Sequence, residues 1–212
     1  MTSLISILTQ GKTRAEIRKA LQASRKNLTP VFQENAANAL CFTLQNDVAI
    51  KNAKNIAVYL ASNAELDLQP FIQWCWQQNK QVYLPVVHPF SKGNLLFLRY
   101  HRNSTMVMNQ YNIAEPTLDV RDIIPMTQLD LILTPLVGFD VTGARIGMGG
   151  GYYDRTLVKW YEHYLSNQAY TPFPIGIAHD CQQVNNVPIE SWDIPLPKII
   201  TPTRVIQCSP VR

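Results

Sequence analysis

The sequence predicts an α/β protein with a mostly parallel sheet, on three observations. A chain of 212 residues, 46% hydrophobic and 16% charged, suits one domain with a sizeable core. Short apolar runs of strand length alternate with segments whose apolar residues recur at helical spacing. Glycine is scarce, about 4% against a usual ~7%, yet six of the nine glycines fall between Gly138 and Gly151, directly after an apolar run. Scarce, clustered glycine marks unusual backbone geometry. The carboxyl ends of strands are where open α/β sheets bind ligands.

The elements follow in order. Thr13 to Asn27 is polar, with Ile17, Leu21 and Leu28 at helical spacing, and predicts a first helix. Thr29 as N-cap and Pro30 as first helical residue open a second, to about Asp47. Asn55 to Ala61 predicts a buried strand, and Asp67 to Asn79 a helix with Phe71, Trp74 and Cys75 on one face. Gln81 to Val87 is the next strand, and this strand–helix–strand order argues for parallel pairing. Leu95 to Tyr100 reads as an edge or hairpin strand, and residues 101–128 as irregular. Leu129 to Val137 predicts a buried strand, Tyr152 to Leu165 a helix, and Phe173 to Ala178 and Lys198 to Thr201 late strands. The chain is expected to be one domain over 1–212, its helical segment at about 10–50 packed on the α/β body.

Composition narrows the function classes. No run of about 18 apolar residues occurs, so no membrane span is expected. The short apolar stretch at the N-terminus lacks a preceding basic region and a small-residue cleavage site, so no signal peptide is expected. Cys41, Cys75, Cys181 and Cys208 are widely spaced without a CxxC, which argues against zinc and disulfide frameworks and for a cytoplasmic protein. Net charge is +4, and residues 1–60 hold eight Lys/Arg against three Asp/Glu. The positive excess is therefore N-terminal, either a solvated helix face or a docking surface for an anion.

The first helix separates these uses of charge. At 100° per residue, Arg14, Arg25 and Arg18 fall at about 0°, 20° and 40°. Ile17, Leu28 and Leu21 fall at about −60°, −40° and −20°, while Lys12, Lys19 and Lys26 lie at about 120–160°. The arginines border the apolar stripe and point toward the protein body. They either snorkel over the core edge or meet a polyphosphate there.

The glycine cluster reads Gly138-Phe-Asp-Val-Thr-Gly-Ala-Arg-Ile-Gly-Met-Gly-Gly-Gly-Tyr-Tyr-Asp-Arg155. It contains no GxxxxGK[ST], and Tyr152 breaks the dinucleotide spacing begun by Gly147 and Gly149. Consecutive glycines still let backbone N–H groups turn toward one anion. A helix starting at Tyr152 adds its positive end. Arg145 supplies a fork for phosphate oxygens, and Asp154 a hard oxygen for Mg²⁺. Tyr152 and Tyr153 either stack on a flat heterocycle or pack on the sheet. Glu65 and Asp67 follow a strand. Asp67 suits helix capping.

The segment FDxxGxRxGxGGGYYDR resembles the signature of the 5-formyltetrahydrofolate cyclo-ligase (methenyltetrahydrofolate synthetase) family. Further blocks in order are Arg14, Arg18 and Arg25 in RxxxRxxxxxxR, Leu60 to Asp67, Leu84-Pro85, Glu115-Pro116, Ala178 to Pro188 with Gln182, and Asp193 to Thr201. Leu68, Met148, Gly150 and Pro197 depart from common family residues. The resemblance implies a three-layer α/β/α sandwich related to sugar-phosphate isomerase and CoA-transferase folds. It implies ATP- and Mg²⁺-dependent conversion of 5-formyltetrahydrofolate to 5,10-methenyltetrahydrofolate, with ADP and phosphate as products.

Carried onto matching positions, the resemblance implies catalytic roles for Arg145 and Tyr153. ATP falls to Arg14, Arg18, Arg145, Gly147, Gly149, Gly150, Gly151, Tyr152 and Tyr153. Folate falls to Leu60, Glu65, Met148, Gly149, Gly150, Gly151 and Tyr152, and Mg²⁺ to Asp154 and Asp193. Between the two tyrosines, the resemblance favours Tyr153 as the stacking ring. The expected partners are 5-formyltetrahydrofolate and ATP, with no nucleic acid or membrane, in a monomer or weak homodimer. A non-catalytic folate- or nucleotide-binding regulator on the same fold is the alternative. A nucleic-acid binder is disfavoured by the regular arginine stripe without interleaved aromatics.

Overall fold

The structure, a computed structural model, describes residues 11–166 and 168–208. The N-terminal apolar stretch considered above lies largely outside these described residues. An eight-stranded sheet runs in the order β12-β11-β10-β7-β1-β2-β3-β6. Its members are β1 (Asn55–Ala57), β2 (Gln81–Val87), β3 (Leu95–Tyr100), β6 (Ile123–Ile124), β7 (Leu131–Pro135), β10 (Phe173–Ile177), β11 (Lys198–Ile200) and β12 (Val205–Gln207). The central strands β11, β10, β7, β1 and β2 pair parallel, with Ile56 opposite both Val82 and Leu131, and Ile175 opposite Leu133. The flanks are antiparallel: β2 with β3, β3 with β6, and β11 with β12.

Alternation along the central strands builds two cores. Ile56, Val58, Val82, Leu84, Leu131 and Leu133 enter one cluster with Leu40, Leu44, Phe71, Ile72 and Cys75. These last come from α2 (Pro30–Asn46) and α4 (Gln69–Gln77). Ala57, Tyr83 and Ile132 point the other way, to Leu157 and Trp160 of α5 (Tyr152–Leu165). Helices therefore cover both faces of the sheet. A short α3 (Val48–Asn52) is capped by Asp47, whose carboxylate also accepts from Lys198 Nζ at 2.7 Å.

The first helix, α1 (Arg14–Lys26), lies elsewhere. Thr13 and Glu16 close a capping box at its start. Its apolar stripe, Ile17 and Leu21, packs on Val137, Ala144, Ile146, Val184 and Val187, which follow the carboxyl ends of β7 and β10. Thr29 caps α2, with Pro30 in its first turn.

Several expected boundaries shift. β1 stops at Ala57, not Ala61, because the chain beyond Val58 leaves the sheet to form a loop. β3 is the hairpin partner of β2, and β6 takes the edge. The segment read as irregular holds β6 and a hairpin of β4 (Met106–Met108) and β5 (Ala114–Pro116). A small ribbon, β8 (Gly138–Phe139) with β9 (Arg145–Ile146), carries the chain into the glycine loop.

Candidate active site

The glycine cluster divides by physical cause. A Cβ on Gly138 would strike Leu21 Cδ1 at 2.3 Å, and one on Gly143, at φ +88°, would strike the Leu196 carbonyl oxygen at 2.1 Å. Those two glycines serve packing. Gly149 and Gly151 sit at φ +103° and +66°, where L side chains are strained. Gly151 is also the N-cap of α5. Gly147 is different: its φ is not positive, and an added Cβ would meet nothing within 4 Å. Neither packing nor backbone conformation demands glycine there, so the open space beside Gly147 is what distinguishes it.

Arginines bind the loop and the segments beside it. Arg145, 5% exposed, gives Nη2 to Asp154 Oδ1 at 2.6 Å, and its Nη1 is buried with no partner among the described residues. Burial pushes this guanidinium down, and the Asp154 and Asp193 carboxylates pull it back up. It stays a cation. Arg18 Nε donates to the Gly147 carbonyl at 2.7 Å. Arg14 forms a two-pronged pair with Asp193 and gives Nη1 to the Pro188 carbonyl at 2.7 Å. Asp154 Oδ1 also accepts from the Ile194 N–H at 3.3 Å. The two carboxylates read as metal ligands are thus each held by an arginine.

The loop after β1 supplies the second half. Leu60, Ser62, Glu65 and Gln69, with Gln33 from α2, line a cleft of about 410 Å³. That is within the range of small-ligand sites. Glu65 Oε2 accepts from the Ser62 N–H at 3.0 Å and Oγ at 3.2 Å. Burial pushes the Glu65 carboxyl up, opposed by the Ser62 N–H and the Arg25 charge. Asp67 stays at the helix start, accepting from the Gln69 N–H at 2.9 Å.

The tyrosines part company. Tyr152 turns outward: its hydroxyl lies 2.8 Å from that of Tyr111, and Arg155 stacks over its ring at 5.4 Å. Tyr153 is half-buried against the α5-side core. Burial and then the Glu65 carboxylate push its phenol up, while Arg145 pulls it down. Tyr153 therefore feels both the cleft acid and the cradle arginine, and at neutral pH it is a proton donor. Met148 is 52% exposed at the loop tip, its sulfur accepting from Gln22 Nε2 at 3.2 Å.

Two participants, Arg155 and Tyr111, are given no role by local pattern. Arg155 gives Nε to the Gly93 carbonyl at 2.7 Å and Nη2 to the Gly150 carbonyl at 2.5 Å, tying the β2–β3 loop to the glycine loop. Tyr111 comes from the β4–β5 turn, which shows no periodicity to betray it. Arg25, which the helical wheel sets beside the apolar stripe and pointing inward, is buried outright at 1% exposed.

Known proteins resemble the chain over most of its length. The model of the 5-formyltetrahydrofolate cyclo-ligase family matches residues 10–202. The chain belongs to that family. It is 48% identical over 185 residues to the 5-formyltetrahydrofolate cyclo-ligase of Escherichia coli K12, covering 87% of this chain and 98% of that one. It is 45% identical over 183 residues to the cyclo-ligase of Haemophilus influenzae, covering 86% and 94%. Among solved structures it superposes on the 5,10-methenyltetrahydrofolate synthetase of Aquifex aeolicus with a TM-score of 0.77 and 26% identity, covering 94% of each chain. The helices on both faces and every strand of the main sheet but β12 lie within the span matched by the family model.

Proposed function

We propose that the chain uses ATP and Mg²⁺ to cyclise 5-formyltetrahydrofolate to 5,10-methenyltetrahydrofolate, releasing ADP and phosphate. The observation that carries this is the open space at Gly147, with Arg18 bound to the Gly147 carbonyl and the buried, unpartnered Nη1 of Arg145 two residues before it. Gly147, Gly149, Gly150 and Gly151 cradle the phosphates with their N–H groups, aided by the start of α5. The unpartnered Nη1 of buried Arg145 faces a cost unless a ligand takes it, which suits a phosphate oxygen.

Asp154 holds Mg²⁺. Among the described residues no cluster of three or more His, Cys, Asp or Glu is gathered. Mg²⁺ commonly takes only one or two carboxylates beside substrate phosphates. Asp154 fits, because Oδ1 carries both of its hydrogen bonds and Oδ2 carries none among the described residues. Asp193 would be the second residue to hold it, although both of its oxygens accept from Arg14 here. Held there, the ion would supply charge neutralisation for the phosphates.

Leu60 lines the folate pocket, and Glu65 accepts from the N–H edge of the pterin. Tyr153 stacks on the ligand between the two halves. The formyl oxygen attacks the γ-phosphorus and ADP leaves. N10 then attacks the activated carbon, its proton departs and phosphate is expelled. The chain contributes position and fixed charge rather than a covalent nucleophile. We place it in the cytoplasm as a monomer or weak homodimer.

Incubation with ATP, Mg²⁺ and 5-formyltetrahydrofolate is expected to develop the absorbance of methenyltetrahydrofolate with an equal yield of ADP. A folded protein giving no absorbance, or giving it without ATP, refutes the proposal.

A further inference from the structure

Arg25 lies below the surface between α1 and the folate loop. Its Nε donates to the Asn63 carbonyl at 3.1 Å and its Nη1 to the Leu136 carbonyl at 3.3 Å. Its Nη2 is buried without a partner among the described residues. A buried guanidinium with an unmet N–H costs stability, and an apolar side chain would pack there more cheaply. The loop it holds is itself costly. Asn63 and Ala64 occupy the left-handed region at φ 48° and 59° without being glycine. Those two residues set the direction of Glu65, which closes back onto Ser62.

We propose that Arg25 is a positioning residue for folate binding, holding the 62–65 loop in its left-handed turn through the Asn63 carbonyl and setting a positive charge against the Glu65 carboxyl. This rests on the assignment of Glu65 to the folate. The titratable or charged groups around Glu65 are Arg25 from α1, Tyr59 after β1, Asp67 and Tyr153 from α5. Cys181 and His179 also sense Arg25. Of these groups Arg25 alone is a cation at neutral pH, since burial and the Arg25 charge push His179 down to about 4. Burial pushes both phenols up, so neither can compensate for Glu65. Loss of the guanidinium therefore raises the Glu65 pKa.

The test compares Arg25→Met, Arg25→Lys and Glu65→Gln in the full chain, with thermal unfolding as a fold control. Arg25→Met is expected to raise KM for 5-formyltetrahydrofolate about 10- to 100-fold, as misplaced binding groups do, with KM for ATP unchanged. The acid limb of its kcat/KM profile for folate moves to higher pH. Arg25→Lys restores charge without the fork, so the limb returns while KM stays raised. Equal losses for both substrates, or an unmoved limb in folded Arg25→Met, overturn the proposal. If Arg25→Met does not fold, Arg25→Lys decides: a raised folate KM supports the role and an unchanged one overturns it. Glu65→Gln separates the two ideas. An unchanged folate KM there removes Glu65 from the substrate. A raised one beside normal Arg25 variants removes only Arg25.

Discussion

Gly147→Ala isolates the one glycine whose reason is not structural. The new methyl meets nothing within 4 Å, and the backbone is not in the left-handed region. Stability is therefore expected to hold or rise by about 0.4–1 kcal/mol, because alanine restricts the unfolded chain. Nucleotide binding should move the other way. A methyl forced into a filled space costs about 1–3 kcal/mol. At 1.4 kcal/mol per tenfold, KM for ATP should rise about 5- to 150-fold. Steady-state absorbance kinetics with varied ATP, and urea unfolding of the same preparation, read both quantities. Gly149→Ala is the contrast: at φ +103° it should lose about 1–2 kcal/mol of stability. A normal KM for ATP in Gly147→Ala would show that the nucleotide does not occupy this space. A destabilisation like that of Gly149→Ala would show that the backbone there needs glycine after all.

Asp154→Asn should raise the Mg²⁺ concentration for half-maximal rate about 10- to 100-fold, read by titrating Mg²⁺ at saturating ATP; an unchanged requirement removes Asp154 from the metal. Chelation by EDTA should abolish turnover, and added Mg²⁺ should restore it. Buried His179, with a pKa pushed down to about 4, is neutral in the native state and has no partner on either ring nitrogen among the described residues. Because its folded pKa lies below the unfolded value near 6.5, its contribution is intact above pH 6.5 and is lost as pH falls toward 4. Stability should drop by about 2 kcal/mol between pH 7 and pH 5 from this group, and urea unfolding of His179→Leu should lack that part of the slope.

The elements with strong local signals are legible in the sequence. β2 and α5 have the expected bounds because each has a complete apolar pattern and clear ends. Strands of two or three residues, such as β6, β8 and β9, are defined only by distant partners and leave no periodicity. The glycine cluster is visible as a unit, but its division is not: Gly138 answers to Leu21 and Gly143 to Leu196, contacts supplied from far along the chain. Arg25 shows the same limit. A helical wheel sets it beside the apolar stripe, but only the Asn63 and Leu136 carbonyls, brought over by folding, give it a buried place.

Three arginines on one helix touch three separated segments: Arg14 meets Asp193, Arg18 meets Gly147, and Arg25 meets Asn63. Arg14 and Arg25 are eleven residues apart, about 16 Å along the axis at 1.5 Å per residue. α1 is in effect a gauge bar. Its length sets the distance between the loop at Asn63 and the segment at Asp193, so a one-residue insertion within it would rotate one end by about 100° against the other. Both contacts would then have to be rebuilt together, and α1 should tolerate substitutions on its lysine face far better than any change in length.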